Sequence, residues 1–105
     1  MPILMQMFWE GVTSGEYEKL RTTVNWEGNT PRGAIFHVSA FDRNGVHVVD
    51  LWESESEFNS FVDKRLMPEV KKLGIKDLPQ IDIYKVHATH VPGYNKIFGN
   101  VKQSA

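Results

Sequence analysis

The 105-residue chain has no cysteine. Disulfide bonds, thiolate metal sites and cysteine nucleophiles are therefore excluded. An excess of charge is also missing, because 12 Lys and Arg residues stand against 13 Asp and Glu residues and leave a net charge of −1. Surfaces that bind nucleic acid or anionic lipid need a basic excess. We therefore expect neither a nucleic-acid partner nor a membrane partner.

Long hydrophobic runs and signature motifs are missing as well. Residues 3–9 (ILMQMFW) form an apolar segment that is far too short to cross a bilayer, and no basic residue precedes it as in a secretory signal. A cytoplasmic location is the resulting expectation. No P-loop, Gly-x-Gly-x-x-Gly sequence or Ser-His-Asp order occurs, so no nucleotide-binding or serine-hydrolase signature is present.

What is present is ordinary globular composition, with 41% hydrophobic and 24% charged residues. A chain of this length corresponds to one domain. We expect a single domain over residues 1–105, in which residues 89–105 form a C-terminal tail. The tail carries Tyr94, Ile97 and Phe98, which we expect to pack on the body of the domain or on a partner subunit.

Hydrophobic periodicity predicts four strands, at residues 3–9, 33–41, 46–53 and 80–88, because these segments are rich in β-branched and aromatic residues. Helices are predicted at residues 13–25 and 54–73, where apolar residues recur at helical spacing. The order β-α-β-β-α-β predicts an α+β, ferredoxin-like fold, a four-stranded antiparallel sheet with both helices on one face.

Local signals mark the ends of these elements. Thr13 with Glu16 and Ser54 with Glu57 match the capping box of a helix start. Gly74 is predicted to end the second helix in a left-handed conformation.

Within the second helix, Pro68 must introduce a kink or divide the helix in two. Between the second and third strands, Asn44 and Gly45 are expected to supply the positive φ angles of a hairpin turn.

The hairpin register places His37 opposite Asp50 if Phe41 pairs with Val46. One face then carries Ile35, His37, Ser39, Phe41, Val46, Val48, Asp50 and Trp52. The opposite face carries Ala34, Phe36, Val38, Ala40, His47, Val49, Leu51 and Glu53. We expect the second set, small and aliphatic in its middle, to lie under the helices. The first set is too apolar for water, which predicts that it pairs with a second copy in a homodimer.

The run Val48 to Phe58 (VVDLWESESEF) resembles the dimeric α+β barrel proteins, most closely the antibiotic-biosynthesis-monooxygenase-like group. The resemblance covers residues 3–88 in element order. Members of this superfamily include cofactor-free oxygenases of polycyclic aromatics, haem-degrading enzymes and many small proteins of unassigned activity. Their cavity lies either between sheet and helices or inside the dimeric barrel.

The resemblance extends to some functional positions and fails at others. Trp52 matches a strand-end tryptophan that lines the substrate cavity in several of these enzymes. The asparagine that accompanies it in quinone-forming oxygenases is missing, and the strand carries Asp50 instead. Haem degraders place a histidine on the second helix, but residues 54–73 contain none. Haem is therefore disfavoured, and no cofactor is predicted.

His37 and Asp50 are the best catalytic candidates. A carboxylate opposite an imidazole orients the ring and raises its basicity, which suits a general base. The alternative is a structural pair that fixes the strand register. Trp9, Trp52 and Tyr84 are candidates for stacking on a flat aromatic ligand, unless they serve core or interface packing.

Gln6 is a candidate donor to a substrate carbonyl. Metal binding needs at least three converging ligands, and His47, His87 and His90 lie on different faces or in the tail, so no metal site is predicted.

Two functions follow. The first is a small-molecule enzyme, monooxygenase-like or proton-abstracting, acting on a small aromatic or carbonyl compound. The second is a non-catalytic ligand-binding or stress-responsive barrel protein that holds an apolar ligand.

Overall fold

A computed structural model of the chain describes residues 1–93. The elements are β1 (Ile3–Glu10), α1 (Ser14–Val24), β2 (Ala34–Asp42), β3 (Gly45–Trp52), α2 (Glu55–Phe61), a π-helical turn (Val62–Leu66), α3 (Met67–Leu73) and β4 (Gln80–Lys85). The expectation for Tyr94, Ile97 and Phe98 lies outside the described residues. No helix in residues 1–93 is both long enough and apolar enough to cross a membrane.

The sheet is antiparallel throughout, with strand order β2-β3-β1-β4. This order is that of the ferredoxin-like fold, so the predicted fold class is confirmed. The predicted hairpin register is also confirmed, because His37 is paired with Asp50 and Phe41 with Val46. A bulge between Ala34 and Phe36 shifts the start of β2, so Ala34 is paired with Trp52.

The helix starts use the predicted caps. At α1 the Thr13 side chain accepts from the backbone N–H of Glu16, and the Glu16 carboxylate accepts from the backbone N–H of Thr13, a complete capping box. At α2 the Ser54 hydroxyl accepts from the Glu57 N–H at 3.2 Å, while the Glu57 carboxylate accepts from the Ser54 hydroxyl at 2.9 Å. The first pair stabilises its helix through two backbone donors and the second through one.

Pro68 divides the second helical segment, as predicted. The π-helical turn ends where the N–H of Met67 donates to the carbonyl of Val62, five residues earlier. Pro68 then lies in the first turn of α3, a position that suits proline because its fixed φ angle is helical. Gly74 ends α3 at φ 75°, in the predicted left-handed conformation.

The β2–β3 turn is built differently from the prediction. Gly45 has a positive φ, but Asn44 does not. The Asp42 carboxylate instead accepts from the N–H groups of Asn44 at 2.7 Å and Gly45 at 3.1 Å. This side-chain cap forms the turn without a left-handed residue at position 44.

The predicted assignment of the sheet faces is wrong. The helices cover the face that carries Val46, Val48, Asp50 and Trp52, all of which are buried. The physical reason is β1, whose buried side chains Ile3, Met5, Met7 and Trp9 pair with these β3 positions and form the core with them. The face with the larger apolar side chains fills the space under the helices, and the face with the smaller side chains is directed away from them.

We call the uncovered side of the sheet the open face. Its side chains are Leu4, Gln6, Phe8, Phe36, Val38, Ala40, His47, Val49, Leu51, Gln80, Asp82 and Tyr84. One row across the four strands, Phe36, Leu51, Leu4 and Tyr84, is apolar or aromatic throughout. Val38 is 47% exposed and Tyr84 is 54% exposed. Within residues 1–93, the fold therefore has a helix-covered face that forms the core and a partly apolar face that no helix covers.

Candidate active site

The candidate site begins at the paired strands β2 and β3, which place the 35% exposed side chain of His37 beside the buried Asp50. His37 Nδ1 lies 2.7 Å from one carboxylate oxygen of Asp50. The indole N–H of Trp52 donates to the other carboxylate oxygen at 3.0 Å. Asp50 is 6% exposed and is the one charged residue among the buried side chains of residues 1–93. Its two nitrogen partners offset part of the cost of burying a carboxylate.

A tyrosine on α1 completes this chain of hydrogen bonds. The hydroxyl of Tyr17 lies 2.8 Å from Nε2 of His37. Both ring nitrogens of His37 therefore have partners, Asp50 at Nδ1 and Tyr17 at Nε2. We call the connected group of Asp50, His37 and Tyr17 the relay. The sequence did not identify Tyr17 as a site residue, because its position on the apolar stripe of the helix is that of any core tyrosine.

The protonation pattern of the relay follows from its partners. An ionised carboxylate only accepts hydrogen bonds, which assigns the Nδ1 proton to the bond with Asp50. In the neutral imidazole, Nε2 is then an acceptor, and the Tyr17 hydroxyl donates to it. Burial raises the pKa of the Tyr17 phenol above its ordinary value, against a smaller lowering by the Ser39 hydroxyl. The resting relay thus holds a protonated tyrosine.

An apolar cavity of about 200 Å³ lies between the sheet and the helices, beside the relay. Its polar side chains are those of the relay, the indoles and Thr30. The apolar wall comes from β1, β3, α1, α2, the π-helical turn and the loop before α1, through Met5, Met7, Val12, Leu20, Val46, Val48, Phe58, Phe61 and Leu66. Dry apolar cavities of about 150 Å³ accept benzene. This cavity has room for a small aromatic molecule.

Three tryptophans contribute to the cavity wall. Trp52 and Trp9 are both buried, and the Trp9 indole donates to the backbone carbonyl of Asp77 at 2.7 Å. Trp26 lies over His37, with ring centroids 5.4 Å apart. The sequence did not identify Trp26, since it follows the left-handed C-cap Asn25 and belongs to no periodic element.

Of the six candidate residues, the structure brings four together and separates two. His37, Asp50, Trp52 and Trp9 line the cavity. Gln6 and Tyr84 lie on the open face, since Gln6 is paired with Asp82 and Tyr84 with Leu4. The sheet separates them from the relay, and neither residue lines this cavity.

The remaining histidines lie apart from the site. His47 lies on the open face, with Nε2 2.7 Å from the Asp42 carboxylate, and His87 and His90 follow β4. Residues 1–93 contain no group of three or more His, Asp or Glu side chains placed to hold a metal ion.

Comparisons with known proteins find similar solved structures but no relatives by sequence. No protein-family model matches the sequence, and no curated protein matches it. Among solved structures, SnoaB, a cofactor-independent oxygenase from Streptomyces nogalater, is 13% identical with a TM-score of 0.59, over 84% of this chain and 94% of that one. NE2512, a protein of unknown function from Nitrosomonas europaea, is 12% identical with a TM-score of 0.64, over 87% and 94%.

A third solved structure is the ActVA-Orf6 monooxygenase of Streptomyces coelicolor, in complex with the ligand nanaomycin D. It is 14% identical with a TM-score of 0.54, over 87% of this chain and 91% of that one. Likeness at these identities carries the fold and not the activity. The chain shares its α+β, ferredoxin-like fold with these solved structures.

Proposed function

We propose that the protein is a small-molecule enzyme that abstracts a proton from a small aromatic or carbonyl compound. The carbanion formed in this way is the species that reacts with dioxygen in cofactor-free oxygenation. The observation that carries this proposal is the relay of Asp50, His37 and Tyr17 at the wall of an otherwise apolar cavity. The relay adjoins an apolar wall, beside which electrostatic interactions are stronger than in water, while the His37 side chain remains 35% exposed.

The hydrogen bonds define how the relay acts. Nε2 of His37 is bonded to Tyr17, so the base presented to a substrate is the tyrosine oxygen backed by the imidazole. As the substrate C–H bond breaks, its proton passes to the Tyr17 oxygen and the phenolic proton passes to Nε2. The C–H electron pair stays on the substrate as an enolate. The imidazolium formed is stabilised by the carboxylate of Asp50, which acts as the orienting residue.

The solved neighbours support this reaction class. SnoaB is a cofactor-independent oxygenase, and the ActVA-Orf6 monooxygenase structure holds the ligand nanaomycin D. In cofactor-free oxygenation, dioxygen is the co-reactant and adds to the substrate carbanion, so proton abstraction must come first. Trp52 and Trp9 are the flat wall against which an aromatic substrate stacks in our proposal.

The test is deuterium exchange at an acidic C–H bond. With β-tetralone in deuterated buffer near neutral pH, we expect the wild-type protein to accelerate exchange above the buffer rate, followed by NMR. Removing a general base costs roughly a hundredfold or more, so His37→Ala should abolish the acceleration. His47→Ala, which removes a histidine from the open face, is the matched control and should retain it.

Each result decides between the alternatives. Wild-type protein that exchanges no faster than buffer, or a His37→Ala variant that exchanges as fast as wild type with unchanged circular dichroism, contradicts the proposal. An oxygen electrode in the same reaction separates oxygenation, which consumes dioxygen, from proton abstraction alone.

A second candidate is a non-catalytic ligand-binding or stress-responsive barrel protein. The observation in its favour is that no buried side-chain nitrogen or oxygen in residues 1–93 is left without a hydrogen bond, so the relay is also a complete structural network. Fluorescence changes of the cavity tryptophans on adding β-tetralone, without accelerated exchange, would favour this function.

We also propose that the open face is the contact between two copies in a homodimer. Its row of Phe36, Leu51, Leu4 and Tyr84 forms an apolar band across all four strands. Contiguous apolar patches of this kind are unusual on monomers. The cavity and the open face lie on opposite sides of the sheet, so each chain of such a dimer keeps its own site.

A further inference from the structure

A second hollow adjoins the cavity at its edge. It has a volume of about 180 Å³ and is lined by Pro31, Arg32, Glu57, Ser60, Phe61, Lys64 and Arg65. Pro31 and Phe61 line both this hollow and the cavity, so the two spaces share a wall. We call the second hollow the cationic groove.

The charge of the groove is opposite in sign to that of the chain. Arg32, Lys64 and Arg65 contribute three positive charges and Glu57 one negative charge, whereas the chain as a whole has a net charge of −1. The three cations come from the loop before β2 and from the π-helical turn. This local excess favours an anionic ligand group.

The three cations differ in how far they are already engaged. Arg65 donates to the backbone carbonyl of Val24 at 2.9 Å and lies over the Phe61 ring, with 5.6 Å to the centroid. Arg32 is 96% exposed and lies 3.6 Å from the Glu57 carboxylate. Lys64 has no hydrogen bond or ion pair with any described residue. Arg65 is therefore held in place by its own contacts, whereas the side-chain N–H groups of Lys64 and Arg32 are accessible to a ligand.

We propose that the cationic groove binds the carboxylate arm of an aromatic ligand whose ring occupies the cavity. This inference rests on the proposed function, because it assigns a substrate class to the same site. Lys64 and Arg32 bind the carboxylate, and Phe61 is the side chain against which the ring and the arm meet. The negative charge of Glu57 in the groove favours a singly charged carboxylate over a doubly charged phosphate-like group.

The test uses the fluorescence of Trp9, Trp26 and Trp52, the three tryptophans of the chain, all of which line the cavity. The probes are phenylacetate and its neutral analogue phenylacetamide, which share the ring and differ in charge. We expect phenylacetate to bind about fivefold more tightly, equivalent to about 1 kcal/mol, since exposed charges contribute on this scale. The preference should shrink as salt is added.

Lys64→Gln and Arg32→Gln should each reduce the preference for the carboxylate while leaving the affinity for phenylacetamide unchanged. Lys71→Gln is the matched control, because Lys71 is an exposed lysine of α3 outside the groove. It should keep the wild-type preference.

The outcomes separate this inference from the proposed function. Equal binding of both probes overturns the carboxylate assignment and leaves the cavity as a ligand site. Tighter binding of benzylphosphonate than of phenylacetate overturns it as well and assigns a phosphate-like group instead. Failure of both phenyl probes to bind overturns the inference together with the ligand cavity on which it rests.

Discussion

At the scale of single residues, the contact with Tyr17 changes the role that the sequence predicts for His37. The sequence predicts His37 as the base and Asp50 as its partner, and the structure pairs them at 2.7 Å. The other ring nitrogen, however, lies 2.8 Å from the Tyr17 hydroxyl. In the proposed reaction His37 therefore acts through Tyr17, and the reactive atom is the phenol oxygen instead of an imidazole nitrogen.

Alkaline titration of Tyr17 is the prediction at this scale. Burial raises its pKa in the folded state. The stabilisation by the protonated phenol is complete below its unfolded pKa of about 10 and is lost as the pH rises through the folded value. We expect the tyrosinate absorbance of the folded protein to show one delayed titration step that is missing from Tyr17→Phe.

Tyr84→Phe is the control for the absorbance measurement, since it removes an exposed tyrosine on the open face. The delayed step should remain in that variant. Thermal melts should also show wild-type protein losing stability more steeply than Tyr17→Phe above pH about 10. A delayed step that survives in Tyr17→Phe would show that another tyrosine is the source.

At the scale of elements, Gly45 and Gly74 are needed for different physical reasons. Gly45 begins β3 beside the end of β1, and a Cβ atom there would lie 2.2 Å from the backbone carbonyl oxygen of Trp9. Gly74 ends α3 at φ 75°, with no atom within 4 Å of the corresponding Cβ position. The first glycine is required by the approach of two strands, and the second by backbone conformation alone.

Alanine substitution at these two glycines should therefore have unequal effects. Gly74→Ala should lower the free energy of unfolding by about 1 kcal/mol, the cost of a left-handed non-glycine residue. Gly45→Ala should lower it by about 3 kcal/mol or more, because the β1–β3 pairing must shift to relieve the clash with backbone. Urea unfolding measures both, and equal losses would contradict the steric argument.

The elements also show how far the sequence predicts this fold. Periodicity, the caps at Thr13 and Ser54 and the hairpin register are local properties, so the strand order and the His37–Asp50 pair follow from them. The choice of sheet face is not local. It depends on β1, where Met5 pairs with Asp50 and brings the larger side chains under the helices. When β2 and β3 are considered alone, the set of smaller side chains is favoured for the helix-covered face, and that assignment is wrong.

The candidate site has the same division between local and distant information. The His37–Asp50 pair follows from one hairpin, and two of the four aromatic or amide candidates, Trp9 and Trp52, also line the cavity. Tyr17 and Trp26 reach it from α1 and the segment after it, through packing that has no local sequence signal. Gln6 points to the open face because alternate residues of β1 face opposite sides.

At the scale of the whole molecule, the sheet separates the candidate ligand site from the proposed contact surface. The helix-covered side contains the relay and the cavity, and the open face carries an apolar band that no helix of residues 1–93 covers. A proposed dimer through the open face would bury this band while leaving the relay and the cationic groove accessible. In such a dimer, alternate residues of the same strands would serve the subunit contact on one face and the candidate site on the other.

This separation makes the dimer testable without disturbing the site. Val38 lies on the open face in the row next to the apolar band and is 47% exposed, so Val38→Lys adds a charge to this face without placing it in the core. We expect wild-type protein to sediment at twice the 12.1 kDa mass of the chain at micromolar concentration, and Val38→Lys at the monomer mass. Leu78→Lys, at a 75% exposed leucine outside the sheet, is the matched control and should remain dimeric. A wild-type chain that sediments as a monomer would contradict the proposed interface, because the open face would then be stable in water on its own.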